Sequence, residues 1–233
     1  DNGVPLACLQ TVNHQGHGTD LSRQERPHVH CMVFHPDGQR LYAVDLGLDR
    51  CVCYRQGADG TWTPSPAEDL VSPVSGAGFR HMVIHPGRQF AYVNGEMGNG
   101  VTCFRMGEEG AAPVPVGTWP ALSPAERQCA SYTAAMCLHP NSRFLYVSNR
   151  GADSIAVFRL HPEGAVAGWA GTFPAGGAWP RDMRLTPRGD RLVVAHQHSD
   201  TLAVFRLDQQ TGMGMLEGIT PSPTPVCLEV QER

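Results

Sequence analysis

Apolar residues come in short bursts broken by polar, glycine- and proline-containing stretches, and the bursts recur in register. Four 25-residue segments align without a gap: Cys31–Arg55 (CMVFHPDGQRLYAVDLGLDRCVCYR), His81–Arg105 (HMVIHPGRQFAYVNGEMGNGVTCFR), Ala135–Arg159 (AMCLHPNSRFLYVSNRGADSIAVFR) and Asp182–Arg206 (DMRLTPRGDRLVVAHQHSDTLAVFR). Their first residues, at 31, 81, 135 and 182, are 50, 54 and 47 positions apart. Each runs from an apolar strand through a (His/Thr)-Pro-x-x turn to a second strand. A polar loop and a third strand ending in aromatic-Arg follow. Proline suits the turn because it cannot donate to a continuing ladder. The second strands, such as Leu41-Tyr42-Ala43-Val44 and Leu145-Tyr146-Val147-Ser148, are β-rich runs of strand length. Between repeats lie 25, 29 and 22 more variable residues holding Trp62, Val116–Trp119 and Trp169–Phe173, where a fourth, outer strand fits. No segment has a 3.6-residue period, so almost no helix is expected.

Four antiparallel strands every 47 to 54 residues predict an all-β fold, a β-propeller of four-stranded blades. A β-sandwich would not require four ungapped copies of one turn. At the ends, Leu6–Val12 (LACLQTV) reads as the outer strand of another blade, and Pro225–Val230 (PVCLEV) as an innermost strand. The expectation is a single β-propeller domain over residues 1–233, four full blades flanked by partial ones, truncated at the N-terminus.

Composition narrows the chemistry. Eighteen basic against 22 acidic residues, a net charge of −4, exclude a nucleic-acid partner held by bulk charge. All 18 basic residues are Arg, which excludes a Schiff-base or P-loop lysine. With 41% apolar residues the chain can bury a core. No apolar run approaches the roughly 20 residues of a membrane span, so no membrane partner is expected. Eight cysteines form no CxxC pair and most sit in strand-like runs, which predicts reduced core residues of a cytoplasmic protein.

Antiparallel order places the start of strand one and the loop after strand two on one face of the disc, and the proline turn on the other. On the first face the repeats diverge. Before or at strand one come His28 and His30, Arg80 and His81, Tyr132 and Thr133, and Arg181 and Asp182. After strand two come Asp45, Asn94 and Glu96, Asn149 and Arg150, and His196, Gln197 and His198. Repetition explains agreement; one asymmetric ligand site explains divergence, and rigid scaffolds carry sites on such loops. Glu96 has no acidic counterpart, the matching residues being Leu46, Arg150 and Gln197. His28-x-His30 has strand spacing that would let both rings point one way, but one such pair is a weak metal signal and no metal or cofactor is assigned. His35, His85 and His139 in the opposite turns, Asp49, Asp153 and Asp200 in one column, and the aromatic-Arg ends (Arg55, Arg105, Arg159, Arg206) are expected to be structural. No nucleophile motif is present. The inventory is Arg for anions, with His or Glu for proton transfer, and it suits opening or closing a lactone that bears carboxylate or phosphate.

The stretches PHVHCMVFHPDGQRLYAVDLGLDRCVCYR, SNRGADSIAVFRL and PRDMRLTPRGDRLVVAHQHSDTLAVFRLDQQTG resemble the lactonase-type seven-bladed β-propeller family. That family includes 6-phosphogluconolactonases and 3-carboxy-cis,cis-muconate cyclases. The resemblance covers about Pro27 to Val230 and matches the C-terminal part of such a propeller. It implies a His at His28 or His30, Arg80, Glu96 and Arg150 as the catalytic set; the four are His30, Glu96, Arg80 and Arg150. Around them His28, His81, Asp45, Arg181 and His198 are expected to bind a small anionic lactone. The implied reaction is hydrolysis of 6-phosphogluconolactone to 6-phosphogluconate in the pentose phosphate route. Alternatives are a carboxymuconate cyclase and a non-catalytic binding propeller.

Overall fold

The β-rich runs and the proline turns carry through to four antiparallel sheets in the computed structural model, which describes residues 7–108 and 110–230. The first blade contains β1 (Val29–Phe34), β2 (Arg40–Asp45), β3 (Arg50–Gln56) and β4 (Trp62–Pro64), with the short β5 (Leu70–Val71) also pairing with β3. The second is β6 (Phe79–Ile84), β7 (Phe90–Gly95), β8 (Gly100–Arg105) and β9 (Val114–Pro120). The third is β10 (Tyr132–Leu138), β11 (Phe144–Arg150), β12 (Ser154–Leu160) and β13 (Val166–Pro174). The fourth is β14 (Pro180–Leu185), β15 (Arg191–His196), β16 (Thr201–Leu207) and β17 (Gly214–Pro221). The expected outer strands are present around Trp62, Val116–Trp119 and Trp169–Phe173. The helical content among the described residues is three single 3₁₀ turns.

Apolar residues on each blade pack against the next, so each core is shared by two neighbours. Tyr42, Cys51 and Cys53 of blade one meet Phe79, Met82 and Phe104 of blade two. Tyr92 and Cys103 then meet Met136 and Leu145, and Tyr146 and Ile155 meet Met183 and Phe205. Each buried Phe, Ile, Leu or Met among them stabilises the fold by ~1.5–3 kcal/mol. All eight cysteines are free; Cys8, Cys129 and Cys227 are exposed and lie outside the strands.

The proline turns repeat one bond. Nδ1 of His35, His85 and His139 accepts the backbone N–H two residues on, from Asp37, Gly87 and Asn141, at 3.1–3.2 Å. With Nδ1 accepting, Nε2 of His139 donates to Gly189 O of the next blade at 2.8 Å. The aromatic-Arg ends make contacts within their blades: Arg55 chelates Glu68, Arg206 lies 3.5 Å from Glu217, and Arg105 and Arg159 lie over Phe90 and Phe144. Arg159 also crosses to blade four, donating from Nη1 to Gln210 O at 3.4 Å.

A second repeated device joins blades on the other face. Asp49, Asn99, Asp153 and Asp200 share a left-handed backbone. Asp49 Oδ1 accepts Gly78 N–H, Asp153 Oδ1 accepts Trp179 N–H at 2.8 Å, and Asp200 Oδ1 accepts Thr224 N–H at 2.7 Å. In blade two Asn99 Nδ2 instead donates to Ser131 O at 2.7 Å.

Two expected terminal strands are not formed. Leu6 lies outside the described residues, and residues 7–12 have no ladder. There the Gln10 side-chain amide, rather than the backbone, exchanges two hydrogen bonds with Trp62 N–H and O. Residues 225–230 likewise form no ladder; Leu228 N–H donates to the Asp182 carboxylate at 2.8 Å.

Candidate functional site

Each inner strand begins with a register shift against its neighbour. The pairing skips His30 in β1, Arg80 in β6, Ala134 and Ala135 in β10, and Arg181 in β14. A bulge leaves the extra residue unpaired and re-aims its side chain. Beside these residues stands the column that ends the second strand or just follows it: Leu46, Glu96, Arg150 and Gln197. Arg80 Nε donates to Glu96 Oε2 at 3.0 Å, and Arg150 Nη2 reaches the same oxygen at 2.9 Å. Arg150 Nη2 also donates to Thr133 O at 3.2 Å, and Arg181 Nη1 donates to Gln197 Oε1 at 3.2 Å. Blades two, three and four thus contribute to one polar rim.

A third guanidinium completes the cluster. Arg23, in the segment before β1, donates from Nη2 to Glu96 Oε1 at 2.7 Å. Gln24 beside it is fully buried and anchors that segment to Leu46 O and Asp49, both at 2.8 Å. Glu96, Arg80 and Arg150 are buried, whereas the Arg23 side chain is 45% exposed. Burial opposes the charge on Glu96, yet Arg150, Arg23 and Arg80 together hold its carboxyl below the usual range. Burial and then the charge of Arg150 lower Arg80 to about 10, so it remains a cation at neutral pH. One carboxylate facing three guanidinia leaves a local surplus of positive charge.

Two imidazoles adjoin it. Nη1 of Arg80 lies 3.0 Å from His81 Nε2; a guanidinium only donates, so His81 accepts there. Burial, followed by Arg80, lowers His81 to about 2. The His30 ring lies edge-on to His81 at 5.9 Å. It is open to solvent on one side, and the protein on its other side, followed by Arg80, lowers it to about 4. Both rings are neutral at pH 7.

Two aromatic rings adjoin Arg150 on one side. Its Cζ lies 5.9 Å from the Tyr132 ring centre and 5.5 Å from that of Trp179. The exposed His198 ring stacks on Trp179 at 4.7 Å and 14°. Trp179 has φ +63°, a left-handed conformation that costs a bulky residue of order 1–3 kcal/mol.

His30, Arg80, His81, Glu96, Arg150, Arg181 and, through Trp179, His198 therefore sit at this rim. Asp45 and His28 do not join them. Asp45 is fully buried; one oxygen accepts His28 N–H at 2.8 Å and the other pairs with His14 Nδ1 at 2.5 Å, so neither is left for a ligand. His14 in turn holds Tyr54 Oη at 2.6 Å. His28 precedes β1 and its Nε2 lies 3.2 Å from both Glu25 oxygens. The bulge at His30 breaks the alternation that would have aligned the two rings. Among the described residues no three His, Cys, Asp or Glu side chains are grouped to hold a metal. Arg23 and Trp179 were not anticipated: the first lies outside every repeat, and the second fills a column held elsewhere by His28, Gly78 and Tyr132.

The family profile described as "Lactonase, 7-bladed beta-propeller" matches residues 1–230. The chain is similar to the 6-phosphogluconolactonase of Bacillus subtilis, at 32% identity over 98% of this chain and 64% of that protein. A Lactobacillus plantarum protein of known structure superposes with TM-score 0.88 at 29% identity, over 97% of this chain and 65% of that one. The periplasmic gluconolactonase of Pseudomonas aeruginosa superposes with TM-score 0.80 at 31% identity, over 95% of this chain and 61% of that one. The chain spans less than two thirds of the length of each of these relatives. Profile, relatives and blade architecture agree, and the chain belongs to the seven-bladed β-propeller lactonase family.

Proposed function

We propose that this rim binds and hydrolyses an anionic sugar-acid lactone, with 6-phosphogluconolactone as substrate and 6-phosphogluconate as product. The observation that carries the reading is the charge imbalance: Arg23, Arg80 and Arg150 share the single carboxylate of Glu96. Buried cations without matching counter-charge favour an anionic ligand, and guanidinium forks match carboxylate and phosphate geometry. The name of the Bacillus subtilis relative favours the phosphorylated lactone.

In this reading His30, neutral at pH 7, accepts a proton from water as the water oxygen bonds to the lactone carbonyl carbon. The oxyanion so formed is stabilised by Arg80 and Arg150. The ring C–O bond then breaks, the proton on His30 passes to the departing ring oxygen, and a hydroxy acid leaves. Glu96, with both oxygens held by arginines, serves better to position the guanidinia than to carry a proton. Arg181 and His81 complete the anion-binding wall, and His198 supports it through Trp179. Eight free thiols fit a cytoplasmic setting. Among the described residues no helix is long and apolar enough to cross a membrane.

The test is incubation with 6-phosphogluconolactone and, separately, with 3-carboxy-cis,cis-muconate, subtracting spontaneous lactone opening. The expected result is acceleration of the first only. Turnover of the second alone would establish the cyclase reading, and turnover of neither with retained 6-phosphogluconate binding would establish a binding propeller.

A further inference from the structure

The blade-joining carboxylate imposes a backbone shape on the residue it holds. Gly78, Trp179 and Thr224 each donate their N–H to the aspartate of the preceding repeat, and each has positive φ: +67°, +63° and +41°. Glycine adopts that shape without steric cost, as at Gly78, whereas a β-carbon resists it. The backbone alone would favour glycine at Trp179, so its strain has to be offset by what the side chain does.

That side chain does one visible thing. Its ring stands 5.5 Å from Arg150 Cζ, on the same side as Tyr132 at 5.9 Å, the two ring centres being 6.3 Å apart, and is backed by His198 at 4.7 Å. Among the described residues the buried Arg150 Nε has no hydrogen-bond acceptor, so the two ring contacts add attraction to the guanidinium that hydrogen bonds there do not. The remaining bonds of Arg150, to Glu96 and Thr133 O, both use Nη2. Without the rings, a long side chain tethered at one nitrogen is free to rotate its plane.

We propose that Trp179 is a positioning residue: with Tyr132 it fixes the plane of Arg150 so that the guanidinium meets the ligand anion in one orientation. This deepens the lactonase reading, on which its consequence for catalysis rests. The positioning itself is independent of the reaction.

The test uses Trp179→Gly and Trp179→Phe in the whole protein, with thermal unfolding, arginine modification by phenylglyoxal mapped by peptide mass spectrometry, and lactone hydrolysis. In Trp179→Gly the melting temperature is expected to hold or rise, because the left-handed strain is gone. Arg150 modification should quicken at least tenfold with Arg80 unchanged, and kcat/KM should fall about tenfold. Trp179→Phe should restore Arg150 protection and most of the activity. Arg150 modified within twofold of the parent rate in Trp179→Gly would overturn the proposal. So would a lower melting temperature with all arginines modified faster together, the sign of a merely structural role. An unaltered protein that hydrolyses no lactone would remove the lactonase reading while leaving the Arg150 comparison readable.

Discussion

The two faces of the disc are made from the same four repeats yet do opposite things. On the turn face His35, His85 and His139 each make the same Nδ1 bond, and His139 goes on to clasp the next blade. On the rim face the equivalent bulge positions hold His30, Arg80, Ala134 and Arg181, no two neighbouring ones alike, and the adjoining column holds Leu46, Glu96, Arg150 and Gln197. Sameness marks the scaffold. Difference marks a site that a ligand sees from several directions at once.

Substitutions on the two faces should therefore separate stability from activity, and the largest effect is expected where the two coincide. Glu96→Gln leaves Arg80 and Arg150 buried without their counter-charge, and removing one partner of a buried ion pair costs about 3–5 kcal/mol. Denaturant unfolding should show a loss of that size, and a loss within experimental error would mean that the cluster is not cooperative. Arg150→Ala should lower kcat/KM for the lactone by about 10²–10³, the usual consequence of removing an oxyanion-stabilising donor. His139→Ala should do the reverse, costing about 0.5–1.5 kcal/mol of stability through the lost bond to Gly189 O, which keeps its bond from Gln209 Nε2, while leaving kcat/KM within twofold.

Acidity offers a gentler probe. His30 is a base only when neutral, and its lowered pKa of about 4 keeps it so down to that pH. Hydrolysis should stay level from pH 7 to 5 and fall by half near pH 4; half-loss near pH 6.5, the ordinary imidazole value, would remove His30 from that role. The smallest effect is expected at Arg23, whose 45% exposed pair with Glu96 is screened by water. Arg23→Ala should raise KM only a few-fold at unchanged kcat.

The scaffold was legible because its signals are local: β-rich runs, proline turns and a repeat spacing that places the four strands of each full blade, though not β5 or the ends of the chain. The rim was legible as far as columns can be compared. Asp45 shows where that fails. It lies one residue before the rim column, in the position of Gly95, Asn149 and His196, and period-two alternation sends such a residue to the other side. Asn149 and His196 accordingly bond to Ala121 O and Ala175 O in the interior, as Asp45 bonds to His28 N–H. His28 was misjudged because a bulge leaves no trace in spacing. Arg23 has no repeat partner to be compared with, and its reach to Glu96 spans 73 residues of sequence.

Calorimetric titration with 6-phosphogluconate of the parent protein, Arg80→Ala and His139→Ala puts the matter most directly. If surplus guanidinium charge at this rim draws the substrate in, the first variant binds at least thirtyfold more weakly and the second binds like the parent. Equal affinity in all three would mean that the ligand is recognised elsewhere.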